Sequence, residues 1–367
     1  MQFIFWQNII SIHQSAFLSA LAENYQVTIV VEREIEENRK GHGWNIPSMG
    51  KSCIIIAPSN EQLRQLIKNN IDSIHIFSGI HAFQMVSKAF LFSRSLRVKT
   101  LVYLEPYQFW GATGLLRRLK YTFIFARHGS TIDGILPTGE LGCKCYRKVG
   151  VSTKKIFQWG YFTEYLENLS FSKSNSLAPS ILFVGSIDER KNILYLVNTC
   201  KKISFLFNHF TIIGTGRLSN KLKHSIKDIK NIYYLGGVSN AEVKTLMHEH
   251  DILVLPSVFD GWGAVVNEAL QNGMRVIASE NCGSSVLLDG KQRGEIFYFK
   301  NGDDLETVLK RWLIKGPQTV EERQVITQWT KKTISGEIVS EYFVQICKYT
   351  YGGIKSYPIA PWLKNEI

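Results

Sequence analysis

The sequence predicts an α/β protein of two doubly wound, parallel-sheet domains, and three observations carry that expectation. Short β-rich apolar runs alternate with helix-period segments almost throughout, the pattern of strand, crossover and strand units. The 367 residues amount to about two domains of roughly 150 residues each. A polar stretch, Ser170-Phe171-Ser172-Lys173-Ser174-Asn175-Ser176, separates one series of strand candidates from a second and reads as a linker.

The first series runs Gln2 to Trp6, Gln26 to Val31, Cys53 to Ala57, Ser73 to Phe77, Thr100 to Leu104, Gly134 to Pro137 and Ile156 to Trp159. The second runs Ser180 to Val184, Phe210 to Ile213, Ile232 to Leu235, Asp251 to Leu255, Arg275 to Ser279 and Glu295 to Phe299. Helix signals are cleaner in the second half. Ser239-Asn240-Ala241-Glu242 is a capping box followed by Val243, Leu246 and Met247 on one face. Leu305, Val308, Leu309, Trp312 and Leu313 keep the same spacing and stop at Gly316-Pro317. Beyond Gly316 only helical segments follow, with Val339, Tyr342, Phe343 and Ile346 on one face. The expected domains are residues 1–169, a linker at 170–179, residues 180–330, and a helical tail at 331–367 that returns to pack on the first domain.

Composition narrows the class. Hydrophobic residues at 45%, charged residues at 20% and a mean hydropathy of -0.05 exclude a disordered, collagenous or coiled-coil chain. Forty-three Lys and Arg against 31 Asp and Glu leave a formal charge of +12, which favours an anionic partner: nucleic acid, a phosphate ligand or an acidic membrane surface. No recognition-helix, zinc-finger or RNP pattern supports nucleic acid, so none is expected as a partner. The six cysteines (Cys53, Cys143, Cys145, Cys200, Cys282, Cys347) match no zinc signature and read as reduced thiols of a cytoplasmic protein. The first residues lack the basic start of a signal peptide, and no apolar run reaches the roughly 20 residues of a membrane span.

The richest stretch is Asp251 to Gly273. A buried strand ends at Pro256-Ser257, and the turn Gly261-Trp262-Gly263 opens a helix from about Ala264 to Asn272. A helix start after a glycine turn at a strand's C-terminal end presents free N–H groups and a positive dipole end, a seat for phosphate. Asp260 lies in the turn, and Glu268 follows eight residues later, about one turn into the helix. An ionised carboxylate there suits a hydroxyl-rich ligand, since it accepts two hydrogen bonds from a vicinal diol.

This segment resembles the nucleotide-sugar site of the retaining glycosyltransferases of family 4, which have the two-domain GT-B fold and carry a Glu, seven residues and a second Glu. Asp260 stands at the first position and Glu268 at the second. The resemblance implies that Glu268 holds the donor's ribose hydroxyls and that Asp260 contacts the donor sugar, with Ser257, Gly261, Trp262 and Gly263 around the donor. It also implies two Rossmann-like domains facing across a cleft, with the donor on the second. The family places an Arg and a Lys after the first strand of that domain to neutralise the diphosphate. Here the loop reads Gly185-Ser186-Ile187-Asp188-Glu189-Arg190-Lys191: Lys191 stands where the family has its Lys, Ser186 stands where an Arg is usual, and Arg190 is the candidate substitute. Gly214-Thr215-Gly216 is similar to the family's Gly-x-Gly turn near the nucleotide. Ser219 sits where a dinucleotide fingerprint would need a third glycine, which argues against a dehydrogenase.

The first domain is expected to bind the acceptor. His13 follows the first strand, His81 follows Phe77-Ser78-Gly79-Ile80, and Glu105 ends the strand Thr100 to Leu104; each is a candidate acceptor contact or a structural residue. The segment Gly114 to Arg127 mixes Arg117, Arg118, Lys120 and Arg127 with large apolar residues. It reads either as a core helix with a solvated basic end or as a helix lying on an anionic membrane. The resemblance implies a retaining sugar transfer with no metal and no cofactor, in which the donor phosphate helps take the acceptor's proton. With the positive charge, it points to a glycan or lipid-linked acceptor at the cytoplasmic membrane face, in building a surface polysaccharide or lipopolysaccharide. Two other readings stay open: a nucleotide-sugar epimerase of the same fold, and a catalytically silent partner protein.

Overall fold

The computed structural model describes residues 1–34, 46–165, 171 and 176–364. They form two compact units, Met1–Glu164 with Thr333–Ile367, and Tyr165–Lys332. In the expected serine-rich linker, Ser170 and residues 172–175 lie outside the described residues.

The first unit alternates β1 (Gln2–Gln7), α1 (Ser15–Asn24), β2 (Gln26–Val31), β3 (Cys53–Ile56), α2 (Asn60–Asn69), β4 (Ile74–Ser78), α3 (Gln84–Leu96), β5 (Lys99–Leu104), α4 (Gly111–His128), β6 (Gly134–Pro137) and α5 (Gly139–Lys148). The second runs β7 (Ile181–Val184), α6 (Ile193–Lys202), β8 (Phe210–Ile213), α7 (Ser219–Ile226), β9 (Ile232–Gly236), α8 (Asn240–Glu249), β10 (Ile252–Leu255), α9 (Val265–Gln271), β11 (Arg275–Ser279), β12 (Gly294–Phe297), α10 (Leu305–Leu313) and α11 (Val320–Thr333). A last helix, α12 (Gly336–Thr350), belongs to the first unit.

Each unit has one six-stranded sheet, ordered β3-β2-β1-β4-β5-β6 and β12-β11-β10-β7-β8-β9, and the paired strands are parallel. Counted within its own unit, each is the doubly wound order of a Rossmann fold. Its strand sequence reverses between the first and fourth strands, and ligands bind there, beyond the carboxyl ends. Central strands flanked by helices on both faces must be apolar on both sides, which is why Phe3, Ile4, Phe5 and Trp6 of β1 and Ile252 to Leu255 of β10 are all buried.

The C-terminal helix completes the first core. Phe343 of α12 lies 5.4, 5.9 and 5.2 Å, ring centre to ring centre, from Phe3, Phe5 and Phe17. Tyr342 stacks on Trp159 and donates its hydroxyl to the Gln158 carbonyl at 3.1 Å. One expected strand is absent: Ile156 to Trp159 meets β6 only through single bridges, Ile135 to Ile156 and Thr138 to Trp159. Phe157 and Trp159 donate to the Ile135 and Pro137 carbonyls and the Gly139 N–H donates to the Trp159 carbonyl, but Pro137 has no N–H to give the Phe157 carbonyl, so the two bridges do not join into a ladder.

Among the described residues His75, His128 and His250 are buried, and burial lowers His75 and His250, one in each unit, the most. His75 on β4 accepts from Trp6 Nε1 at 3.1 Å and contacts the Asn70 carbonyl through Nε2 at 2.9 Å. His250 contacts the Leu246 carbonyl at 2.6 Å and Thr211 Oγ1 at 2.8 Å. Burial pushes both down to about 4, against the 6.5 of an exposed imidazole. The unfolded chain therefore takes up these protons near pH 6.5 while the folded chain resists until about pH 4. Stability is full above pH 6.5 and falls below it, by about 1.4 kcal/mol per pH unit for each histidine. Thermal melting from pH 7.5 to 4.5 should show that decline, and a His75→Gln variant should show a shallower one.

Candidate active site

The reversal of strand order sets β7 beside β10 in register, Ile181 opposite Ile252 and Leu182 opposite Leu253. The loops leaving their carboxyl ends therefore emerge together. One carries Gly185 to Lys191, the other Pro256 to Gly263, and where they meet Lys191 Nζ donates to Asp260 Oδ2 at 2.5 Å. Both residues are only 8% exposed. Arg190, on the same loop and exposed, adds a second cation 3.5 Å from the same carboxylate oxygen. Backbone contacts fix the meeting: Val258 N donates to the Arg190 carbonyl at 2.9 Å, Asp260 N to Asn281 O at 3.0 Å, and Gly283 N to Asp260 O at 3.1 Å.

Ser186 has a specific task. Its hydroxyl donates to Asp188 Oδ2 at 2.7 Å, while Asp188 Oδ1 accepts the Lys191 backbone N–H at 2.8 Å. Although burial opposes ionisation of Asp188, these hydrogen bonds and the Arg190 and Lys191 charges hold its carboxyl below the ordinary value. Asp188, which the sequence reading passed over, thus shapes the turn that presents Lys191. The signal was a Ser-x-Asp pair before a helix, a pattern that hydrogen-bonds its own backbone.

Glycines let these loops approach. Gly214 has φ 134°, and a Cβ there would lie 1.8 Å from the Gly185 carbonyl oxygen. On Gly216 a Cβ would lie 2.4 Å from the Ile187 oxygen. The turn Gly214 to Gly216 is thus laced to the Lys191 loop, as the Ile187 N–H to Thr215 O bond of 2.9 Å also shows. Gly263 has φ 89° and faces Cys282 Sγ and Leu255 Cδ2 where a Cβ would stand.

Glu268 is the fourth residue of α9. Its side chain is partly buried, and desolvation raises its carboxyl above the ordinary glutamate value, with the Lys244 charge opposing. Ser257 is fully buried, and its hydroxyl has no hydrogen-bond partner among the described residues. Trp262, expected around the donor, turns its side chain inward. Its ring is 1% exposed and its Nε1 donates to Asn267 Oδ1 at 2.7 Å, so the side chain is spent on packing the first turn of α9. An apolar indole between two glycines gains more from burial than from exposure.

In the first unit, His13 stacks on Tyr161 with ring centres 5.3 Å apart, and the Tyr161 hydroxyl donates to Glu105 Oε1. Two of the three expected acceptor residues therefore share one neighbour, Tyr161, which no sequence signal singled out. Tyr146 fixes the same corner by donating to the Glu105 carbonyl at 2.7 Å. His81 lies elsewhere: it contacts Ser87 Oγ at 3.3 Å and sits edge-on to His128 at 5.6 Å. Burial and the Lys120 charge hold it below the ordinary histidine value.

The Lys191 and Asp260 pair yields a direct prediction. Removing one member of a buried ion pair strands the other, at a cost of about 3 kcal/mol or more. Asp260→Asn should lower the stability of the second unit by that order, and Lys191→Met in the same chain should restore most of it. Denaturant unfolding of the two single variants and the double variant reads the coupling directly. Additive losses would count against it.

Comparison with known proteins gives the family and the fold. Residues 167–333 match the family model of the glycosyl transferases group 1. An uncharacterized glycosyltransferase of Methanocaldococcus jannaschii is 31% identical over 267 residues, 67% of this chain and 74% of that protein. The UDP-Gal:alpha-D-GlcNAc-diphosphoundecaprenol alpha-1,3-galactosyltransferase of Escherichia coli is 28% identical over 137 residues, 35% of each protein. Among solved structures, HepE of Anabaena in complex with UDP superposes with a TM-score of 0.67 at 11% identity, covering 95% of this chain and 100% of that one. The shared fold is GT-B, and by sequence and fold together the chain belongs to the group 1 glycosyltransferases.

Proposed function

We propose that this glycosyltransferase moves a sugar, with retention of anomeric configuration, from a nucleotide-sugar to a glycan or lipid-linked acceptor during assembly of a surface polysaccharide or lipopolysaccharide. The observation that carries the reading is the buried Lys191 and Asp260 pair with Arg190 beside it, set at the strand-order reversal where a doubly wound sheet binds its ligand. The Escherichia coli relative acts, by its name, on a diphosphoundecaprenol-linked sugar, which supports a lipid-linked acceptor here.

In this reading Lys191 and Arg190 meet the diphosphate. As the bond from the anomeric carbon to the phosphate oxygen breaks, its electron pair stays on the diphosphate, and fixed cations stabilise charge that grows in the transition state. The acceptor oxygen bonds to the anomeric carbon on the face the diphosphate leaves, and its proton passes to a phosphate oxygen. No protein base and no metal ion is required. Asp260 holds Lys191 in place and lies where the donor sugar would reach it. Gly185, Ser186, Gly214 and Gly216 shape the phosphate side, with Ser257, Gly261 and Gly263 beneath the donor. Glu268 accepts from the ribose hydroxyls, and His13 and Glu105, joined through Tyr161, contact the acceptor.

The test is thermal shift with UDP, GDP, ADP, dTDP and CDP and their sugar conjugates in EDTA, beginning with UDP because the Anabaena neighbour was solved with it. One base should stabilise the protein. Loss of a hydrogen bond to a charged group costs about 1.5–3 kcal/mol, so Lys191→Ala and Glu268→Ala should each weaken binding by roughly tenfold or more. No shift from any nucleotide would overturn the reading.

A pH series adds a second check. The ribose hydroxyls need the ionised carboxylate, and the Glu268 carboxyl is raised by desolvation. Affinity should therefore fall as pH drops through that raised value, and Glu268→Gln should flatten the dependence.

A further inference from the structure

Helix α4 has two apolar faces and only one is used. On the inner face Gly114, Ile124, Phe125 and His128 are buried, and Tyr121 stacks on Tyr107 at 4.8 Å. The helix is pressed so closely on the preceding loop that a Cβ on Gly114 would lie 2.4 Å from the Phe109 carbonyl carbon. On the opposite face Leu115, Leu116, Leu119 and Phe123 are 58%, 66%, 59% and 67% exposed. The spacings 115, 119, 123 and 116, 119, 123 place all four on one stripe of the helix. Large apolar side chains scattered singly on a surface need no explanation, but a contiguous stripe of four marks an interaction surface.

Charge says what covers it. Residues 111–128 contain no Asp or Glu, and Arg118 on one flank and Lys120 and Arg127 on the other border the stripe. All three are exposed, and the chain as a whole carries +12. An apolar stripe edged by cations is complementary to a bilayer whose headgroups are anionic: acyl chains take the leucines and phenylalanine, and phosphates take the arginines and lysine. Among the described residues no helix is long and apolar enough to cross a membrane.

We infer that α4 is a membrane-docking helix, which lies in the interface of an anionic bilayer through Leu115, Leu116, Leu119 and Phe123, with Arg118, Lys120 and Arg127 reading the headgroup charge. This surface belongs to the first unit and the donor residues to the second, and the inference does not depend on the transferase roles assigned above. A lipid-borne acceptor would then be met by an enzyme already at the lipid surface.

The experiment is co-sedimentation of the full-length protein with vesicles of phosphatidylcholine alone or of phosphatidylcholine with phosphatidylglycerol. The wild type should bind the anionic vesicles at least tenfold better, and binding should weaken with salt. Replacing Leu116, Leu119 and Phe123 together by Ser should cut the bound fraction tenfold or more at any salt. Replacing Arg118, Lys120 and Arg127 together by Gln should abolish the preference for anionic vesicles. These side chains are exposed, so melting temperature and the nucleotide-induced shift should be unchanged, which separates a failure here from a failure of the donor site. Absence of vesicle binding, or binding indifferent to the apolar replacements, overturns the inference. So does a concentration-dependent dimer that the apolar replacements abolish, since a second copy would then cover the stripe.

Discussion

A buried lysine and a buried aspartate, 69 residues apart in sequence, hold the second unit's ligand end together. Neither charge would persist alone in so dry a place, because desolvation of one ion is repaid only by the other and by hydrogen bonds to its remaining atoms. Parallel topology brings them together. With β7 and β10 adjacent, two loops must leave the sheet side by side, and a cation on one and an anion on the other stop them separating. The loop of Gly214 to Gly216, laced under the first of these, extends the same fixed surface. Asp188 then shapes the turn, so the ammonium of Lys191 is placed by its own backbone as well as by its partner.

The same topology serves the first unit differently. There the segments after β1, after β5 and after Trp159 carry His13, Glu105 and Tyr161, and ring contacts and hydrogen bonds order them. His13 rests on Tyr161, Tyr161 reaches Glu105, and Tyr146 holds the Glu105 backbone. Ring stacking and hydrogen bonds from two phenols position these groups.

What the sequence made legible was local. The alternation of apolar runs yields both sheets because parallel strands covered on two faces must be continuously apolar. The capping box at Ser239 forms as read, since its partners are three residues apart. The spacing of Asp260 and Glu268 was visible for the same reason. The Lys191 and Asp260 contact was hidden, as it depends on strand order, which no short pattern encodes. The burial of Trp262 was hidden too, because a residue between two glycines can turn either way until the neighbouring helix is placed. Tyr161 carried no motif at all. The stretch Ile156 to Trp159 has the right period for a strand, yet the missing N–H belongs to its neighbour, Pro137.

The placement of α12 bears on how the chain is made. Its Phe343 fills the space among Phe3, Phe5 and Phe17, yet it is translated after the whole second unit. The amino-terminal sheet can therefore form early on the ribosome only with an apolar gap on one face. The segment Tyr165–Lys332 is contiguous and can finish its own core first. The order of synthesis and the order of completion are then reversed, and chaperone binding during translation would fall on the gap that Phe343 later fills.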